Sequence, residues 1–171
     1  ELPVLTDVRR DDPLDLSTGQ QQAHPEVVHA RVVADDRQVR DAARDDRHAW
    51  TEVTPEYWDE RMDTNLRHQF FAIQAVAPDM IERGGGSIIN MSSILANKAM
   101  SGTSVYSAIK SGVVQMTRSM AHELGPLGIR VNCVHPGLIE TDMTAWVMKS
   151  PDILPLVLAQ ISLGRAGQPR E

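Results

Sequence analysis

A tyrosine and a lysine, Tyr106 and Lys110, lie four residues apart in a segment that is predicted to be helical. This spacing places both side chains on one face of the helix, one turn apart. A free phenol has a pKa of about 10, and a neighbouring ammonium lowers this pKa because it favours the phenolate. The pair therefore predicts a tuned acid/base, although an exposed helix face on which the two residues merely coexist would show the same pattern.

The segments around this pair alternate between helix and strand. Thr54-Pro55-Glu56 is typical of a helix start, and the helix is predicted to continue over 55–82. The pattern further predicts strands over 87–93 and 129–134, a second helix over 104–124 between them, and a third helix over 141–159. Such alternation predicts a doubly wound α/β fold, in which helices connect the strands of a parallel sheet.

Polar and turn-forming residues follow both predicted strands. Ser92 and Ser93 end the first strand, and Pro136 and Gly137 follow the second. Ligands of such sheets bind beyond the carboxyl ends of the strands. A further unusual residue is Asn65, which lies inside the first helix although asparagine is a poor helix former. We therefore expect the site where these strand ends meet.

Together these segments resemble the short-chain dehydrogenase/reductase family. The resemblance extends from about Trp50 to Glu171 and rests on Thr64-Asn65-Leu66, GGGSIINMSS, YSAIK, GPLGIRVNCVHPGLIETDM and LGRAGQP. It implies a Rossmann-like fold and an NAD(P)-dependent oxidoreductase that transfers a hydride between nicotinamide and a secondary alcohol or ketone. The segments are similar to those of 3-oxoacyl reductases and of sugar or steroid alcohol dehydrogenases. The alternative is a catalytically silent binding or regulatory relative.

The resemblance assigns catalytic roles to four residues. Tyr106 matches the acid/base that exchanges a proton with the substrate oxygen, and Lys110 matches the residue that lowers its pKa and hydrogen-bonds the nicotinamide ribose. Ser93, rather than Ser92, matches the hydroxyl that holds the substrate oxygen. Asn65 matches the residue that anchors a water in the proton relay behind the lysine.

The resemblance also implies the contacts to the nicotinamide half of the cofactor. Pro136 and Gly137 match the turn beside the ring, while Ile139, through its backbone, and Thr141 match the contacts to the carboxamide. The segment 141–158 follows this turn, and we expect it to be a mobile lid over the substrate. Tyr106 and Lys110 complete the predicted cofactor-binding set.

Cofactor preference depends on the acids of the first part of the chain. Asp7 ends a predicted strand, and an acid there binds the adenosine ribose hydroxyls and disfavours a 2′-phosphate. Asp35 or Asp36 would then flank the adenine. This favours NAD, whereas Arg9 and Arg10 could serve the phosphate of NADP.

Two family motifs, the glycine-rich turn and Asn-Asn-Ala-Gly, are absent from the sequence. We interpret residues 1–171 as a single dinucleotide-binding domain, and we expect residues to be missing before 1, near 43–48 and after 171. The doubly wound sheet would then be incomplete at its N-terminus, in one internal block and at its C-terminus. A chain that truly lacked the glycine-rich turn would bind the dinucleotide poorly.

Composition argues against several other classes of protein. The chain carries 23 acidic and 17 basic residues, for a net charge of -6, which disfavours a nucleic-acid partner. No apolar stretch approaches the roughly 20 residues that cross a membrane. The single cysteine, Cys133, cannot form an intrachain disulfide and favours a cytoplasmic location. No histidines are spaced as metal ligands, so no metal is expected.

The two long predicted helices, 55–82 and 104–124, carry apolar residues on more than one side. A second apolar face indicates oligomerisation through these helices. Because members of the family usually pair them as dimers of dimers, the resemblance implies a homotetramer that acts on a small-molecule alcohol or ketone.

Overall fold

Two parallel strands form the centre of the computed structural model, which describes residues 48–171. Strand β1 (Gly86–Met91) pairs with strand β2 (Ile129–Val134) in a register that runs from Gly86 opposite Ile129 to Met91 opposite Val134. Parallel neighbours need a crossover connection, which a long helix supplies here. The positions Asp7 and Asp35 lie outside the described residues, so their predicted roles stay predictions.

The helix before β1 is irregular in its middle. Its three segments are α1 (Pro55–Met62), a π-helix (Asp63–Arg67) and α2 (His68–Glu82). The helix begins as predicted, because Thr54 Oγ1 accepts a hydrogen bond of 3.2 Å from the Tyr57 N–H. Its predicted extent over 55–82 is confirmed, but the sequence did not predict the wider turn around Asn65. Such π-turns are frequent at functional sites.

The crossover helix and the second strand have their predicted limits. Helix α3 (Ser104–Leu124) is followed by a short 3₁₀ turn, and β2 starts after Gly128, which has a positive φ of 83°. The prediction for the first strand was too long at its end. β1 stops at Met91, because the Ser93 side chain turns to accept a hydrogen bond from the Leu95 N–H at 3.2 Å.

The prediction of a single helix over 141–159 was wrong. The structure has a 3₁₀ turn (Asp142–Thr144) and two short helices, α4 (Ala145–Met148) and α5 (Ile153–Leu158). Pro151 lies in the break between α4 and α5, since proline has no N–H to donate and disfavours helical backbone in the residue before it. Within residues 48–171, no helix combines the length and apolarity that crossing a bilayer requires.

The core lies between β2 and the flanking helices. Ala77 and Met80 of α2 pack on Ile129 and Val131 of β2, with Met120 of α3 against the same cluster. Side chains alternate along the strands, so the opposite sheet face carries exposed apolar groups such as Ile89 and Val134. The helices therefore fix one face of the sheet and hold the strand ends in place.

A buried hydrogen-bonded pair ties β1 to α3 above this core. Asn90 Nδ2 donates to Thr117 Oγ1 at 2.9 Å, and that hydroxyl donates to the Val113 carbonyl at 2.7 Å. Polar groups that are buried in this way stabilise one register because an unpaired amide would be costly. The pair thus sets the position of α3 along β1.

The turn between α2 and β1 generates a stability prediction. Gly85 has a φ of 145°, and a Cβ at this position would lie 2.7 Å from the Gly128 carbonyl oxygen; Gly84 has a φ of 86° and open space around it. We expect Gly85→Ala to lower the free energy of unfolding by about 2 kcal/mol or more and Gly84→Ala by about 1 kcal/mol. Urea unfolding measures both, and equal losses would contradict the clash.

Candidate active site

Tyr106 and Lys110 project from one face of α3, near its start. The Lys110 Nζ lies 5.5 Å from the centroid of the Tyr106 ring. Tyr106 is half-buried and Lys110 is only 3% exposed. Burial lowers the pKa of Lys110, and the charge of Cys133 on β2 partly opposes this shift. A cation at this distance favours the ionised form of a phenol.

Both ends of Lys110 are held by the end of β1. Its Nζ donates to the Met91 carbonyl oxygen at 3.2 Å, and its own carbonyl oxygen accepts a hydrogen bond of 2.8 Å from Ser92 Oγ. The strand end therefore fixes the lysine through both its backbone and its tip. This double attachment leaves the ammonium little freedom to move away from the tyrosine.

The two serines after β1 have different surroundings. Ser92 is 6% exposed, and its hydroxyl donates to Lys110. Ser93 is more exposed and accepts from the Leu95 N–H, so its hydroxyl hydrogen meets no acceptor within the described part of the chain. Ser93 can therefore donate to a substrate oxygen, whereas Ser92 is a structural link that the sequence reading left without a role.

The turn after β2 lies next to Ser93. The Pro136 carbonyl oxygen accepts from the Ile94 N–H at 3.2 Å, and His135 Nδ1 lies 3.2 Å from the Ser93 carbonyl oxygen. Pro136 and Gly137 are thus brought to the same edge of the sheet as Ser93, as expected from parallel strands.

Ile139 and Thr141 lie further along and make local contacts. Ile139 bridges Gly167, and its carbonyl oxygen accepts from the Thr144 hydroxyl. Thr141 is exposed, and its N–H donates to the same hydroxyl at 3.1 Å. Ile139 and Thr141 thus contact Gly167 and Thr144, and within the described residues neither is hydrogen-bonded to Lys110.

Asn65 is fully buried in the π-helix, at 0% exposure. Its side-chain Nδ2 donates to the backbone carbonyl oxygen of Arg61 at 3.1 Å. The backbone carbonyl oxygen of Asn65 accepts from Gln69 Nε2 at 2.8 Å. Gln69 also hydrogen-bonds the backbone of Met91, whose carbonyl oxygen accepts from Lys110. Asn65 and Lys110 are therefore connected through Gln69 and the Met91 carbonyl.

Two neighbours of the lysine were missed by the sequence reading. Gln69 follows Asn65 by four residues, and this helical spacing was the available signal. His68 is the second, and its pKa is lowered by burial and then by the charge of Lys110. His68 is therefore neutral near neutral pH and adds no second cation beside Lys110.

A cavity of about 540 Å³ lies near the start of α3. Its lining comes from two segments, and the residues are His48, Ala49, Trp50, Met100, Ser101, Gly102 and Ser104. The Trp50 side chain is 80% exposed and offers an apolar ring face beside serine hydroxyls. This combination suits a ligand that has both a flat apolar surface and hydroxyl groups.

The donor set around Lys110 fits a hydroxyl-rich ligand such as a ribose. An ammonium has three protons, and one of them is given to Met91. The remaining protons, the Tyr106 phenol and the Ser93 hydroxyl are groups that can hold sugar and substrate oxygens. The described residues thus fit the nicotinamide end of a dinucleotide.

Comparisons with known proteins define the family. A family model described as enoyl-(acyl carrier protein) reductase matches residues 17–171. The chain is 47% identical over 115 residues to D-xylose 1-dehydrogenase of Caulobacter vibrioides, covering 67% of this chain and 46% of that protein. It is 52% identical over 104 residues to a probable galactose dehydrogenase of Rhizobium meliloti, covering 61% and 41%. The chain belongs to the short-chain dehydrogenase/reductase family.

Solved structures agree with this assignment. A gluconate 5-dehydrogenase from Burkholderia cenocepacia, determined with NADP and tartrate, superposes with a TM-score of 0.70 at 30% identity, over 73% of this chain and 49% of that one. The predicted doubly wound, Rossmann-like α/β fold and the family resemblance are therefore confirmed. The chain spans less than half the length of these curated relatives.

The buried ammonium generates a prediction about stability. Lys110→Met keeps the length of the side chain and removes a desolvated charge, so we expect the variant to gain about 1 kcal/mol or more at neutral pH. The pKa of Lys110 lies below 10.5 in the fold, so the unfolded chain binds the proton more tightly between the two values. The parent's unfolding free energy therefore rises with pH across this window.

Denaturant unfolding from about pH 7 to about pH 10 tests this prediction, because the variant must lack the contribution of Lys110 to the rise. Lys149→Met, at an exposed lysine, is the control and should follow the parent. A variant that is clearly less stable than the parent at neutral pH would show that the Met91 hydrogen bond outweighs desolvation.

Proposed function

We propose that the protein is an NAD(P)-dependent oxidoreductase that transfers a hydride between nicotinamide and a secondary alcohol or ketone, with Tyr106 as the acid/base. The observation that carries this proposal is the buried Lys110 ammonium, which is anchored on Met91 and lies 5.5 Å from the Tyr106 ring. Within the described part of the chain no carboxylate is paired with this ammonium, and a buried cation of this kind beside a phenol is suited to proton transfer at neutral pH.

The chain's own groups divide the work around the reacting carbon. Ser93 donates a hydrogen bond to the substrate oxygen, and the Tyr106 hydroxyl holds or accepts the proton of that oxygen. Lys110 keeps a positive charge beside the phenol and offers its remaining protons to ribose hydroxyls. Asn65 supports the lysine indirectly, through Gln69 and the Met91 carbonyl. When bound, the nicotinamide supplies or accepts the hydride.

The cofactor contacts are proposed on the same basis. Pro136 and Gly137 lie at the sheet edge that holds Ser93, which supports a place beside the nicotinamide. We assign the carboxamide contacts to Ile139 and Thr141 from the family pattern. The acids that would bind the adenosine half, and with them the choice between NAD and NADP, belong to the part of the chain before residue 48.

A sugar or sugar-derived polyol is the proposed substrate. The two curated relatives reported above are named as xylose and galactose dehydrogenases, and the similar solved structure is a gluconate dehydrogenase. The cavity near α3 supports the same class, because the exposed Trp50 ring and the hydroxyls of Ser101 and Ser104 match the two kinds of surface that a sugar presents.

The long helices are proposed to form a homotetramer interface. Phe70 and Phe71 of α2 are 41% and 44% exposed and contact each other edge to face at 5.4 Å. Two neighbouring phenyl rings at a surface are typical of a protein–protein contact. The partner proposed here is a second copy of this chain.

Light scattering tests the tetramer. We expect a particle of about four times the 18.9 kDa chain mass, and we expect Phe71→Glu to reduce it because a carboxylate would be buried at the interface. Leu163→Glu, at a leucine that is 77% exposed, is the control and should leave the mass unchanged. A monomeric parent chain would refute the proposal.

Substitution of the phenol tests the chemistry. We expect Tyr106→Phe to reduce kcat by about 10²–10⁴-fold while binding of the dinucleotide changes little, because only the proton-transfer group is lost. Turnover is followed by NAD(P)H absorbance with sugars, simple secondary alcohols, a steroid and a 3-oxoacyl thioester, each with NAD and NADP. Tyr57→Phe is the matched control.

Full activity in Tyr106→Phe would remove this residue from the mechanism. A parent chain that binds the dinucleotide but turns over none of these substrates would instead favour the catalytically silent relative. The absence of the glycine-rich turn from the sequence is the observation that keeps this second candidate in the test.

A further inference from the structure

The Gln69 side chain joins the two backbone segments that support the lysine. Its Nε2 donates to the Asn65 carbonyl oxygen at 2.8 Å and lies 3.4 Å from the Met91 carbonyl oxygen, and its Oε1 accepts from the Met91 N–H at 3.1 Å. We propose that Gln69 is a positioning residue, which acts on Tyr106 by fixing the Met91 carbonyl on which Lys110 is anchored.

The amide of Gln69 matches the backbone groups on the side of β1 that faces away from β2. The Ser92 N–H bonds to Val134 of β2, so the N–H and carbonyl of the preceding residue, Met91, point to the opposite edge of the strand. A carboxamide carries one donor group and one acceptor, which are what a neighbouring strand would offer to this residue. Among the described residues, Gln69 thus supplies the hydrogen bonds on this side of β1 at Met91.

The Met91 carbonyl oxygen receives two donors. The Lys110 ammonium approaches it at 3.2 Å and the Gln69 amide at 3.4 Å, and a carbonyl oxygen has two lone pairs to accept both. Gln69 also holds the Met91 N–H, and the Ser92 N–H is bonded to Val134, so the peptide groups on both sides of the Met91 Cα are held and the carbonyl cannot turn to follow the lysine. The ammonium is thereby kept at a fixed distance from the phenol.

The charge balance around the ammonium explains why a neutral amide is suitable here. Within residues 48–171, the titratable groups that act on or contact Lys110 are His68 on α2, Cys133 on β2 and Tyr106 on α3 itself. None of these groups is a carboxylate, so no acid among them pairs with the ammonium and its positive charge acts on the phenol. A glutamate at position 69 would place a negative charge at the same carbonyl oxygen and cancel much of this effect.

The test measures the ionisation of Tyr106 directly. The chain has two tyrosines, so a Tyr57→Phe background leaves Tyr106 as the only phenol to titrate in the near ultraviolet. In this background we expect Gln69→Glu to move the Tyr106 titration upward by about one pH unit. Gln69→Leu, which removes all three contacts, moves it in the same direction because the ammonium is no longer fixed.

Gln74 supplies the matched controls, since it lies exposed on the same helix. Gln74→Glu introduces the same charge change and Gln74→Leu the same loss of an amide, and both should leave the Tyr106 titration where the parent has it. Gln69→Glu has nearly the shape of glutamine, so it carries the test even if Gln69→Leu does not fold.

Because this inference deepens the proposed function, kinetics provide a second and separable reading. On a turned-over substrate, both Gln69 variants are expected to lower kcat by about 10-fold or more with little change in KM, and to shift the pH profile as the titration does. An inactive parent chain would defeat the proposed function alone, since the titration still decides about Gln69. An unmoved titration in Gln69→Glu, with or without loss of activity, would overturn the positioning role.

Discussion

The burial of one positive charge is the constraint around which the rest of the described structure is arranged. Lys110 is 3% exposed, and a desolvated ammonium is costly unless polar groups surround it. Among residues 48–171, the partner of the ammonium is a backbone carbonyl, Met91, and not an acid. A carbonyl stabilises the cation and leaves its charge in place, so the phenol of Tyr106 feels it. The lowered pKa of Lys110 records the cost that remains.

The secondary structure serves this arrangement at both ends. α3 holds Tyr106 and Lys110 one turn apart, and Ser92 locks the lysine carbonyl to the strand end. On the other side, the π-helix shifts the hydrogen-bond pattern so that Asn65 is buried and its carbonyl meets Gln69. A regular helix of the same length would turn these two groups to a different angle. The irregular turn is thus part of the support for the lysine.

Much of this architecture follows from local signals in the sequence. α3 and β2 have their predicted limits because a glycine and proline stop follows one and a β-branched run forms the other. The contact of Tyr106 with Lys110 follows from helical spacing alone. The role of Gln69 does not, because its partner Met91 is 22 residues away and is met only after the chain folds.

Other features depend on two local structures that compete for the same residues, and the sequence pattern does not tell which of them is more stable. The segment 141–159 has the composition of a helix, but Pro151 breaks it. The π-turn around Asn65 gave no signal except an asparagine in a helix, which is equally compatible with a regular turn. β1 ends earlier than predicted, and the Ser93 hydroxyl beyond it accepts a hydrogen bond from the Leu95 N–H of the following loop.

The pairing of Ile139 with Gly167 has a mechanical consequence. Glu140 donates to the Gly167 carbonyl oxygen and Gly167 donates to the Leu138 carbonyl oxygen, each at 2.9 Å. The two ends of the intervening stretch are therefore fastened side by side by a parallel bridge. Because both ends share these two hydrogen bonds, we expect a rearrangement within the stretch to leave the spacing of its ends unchanged.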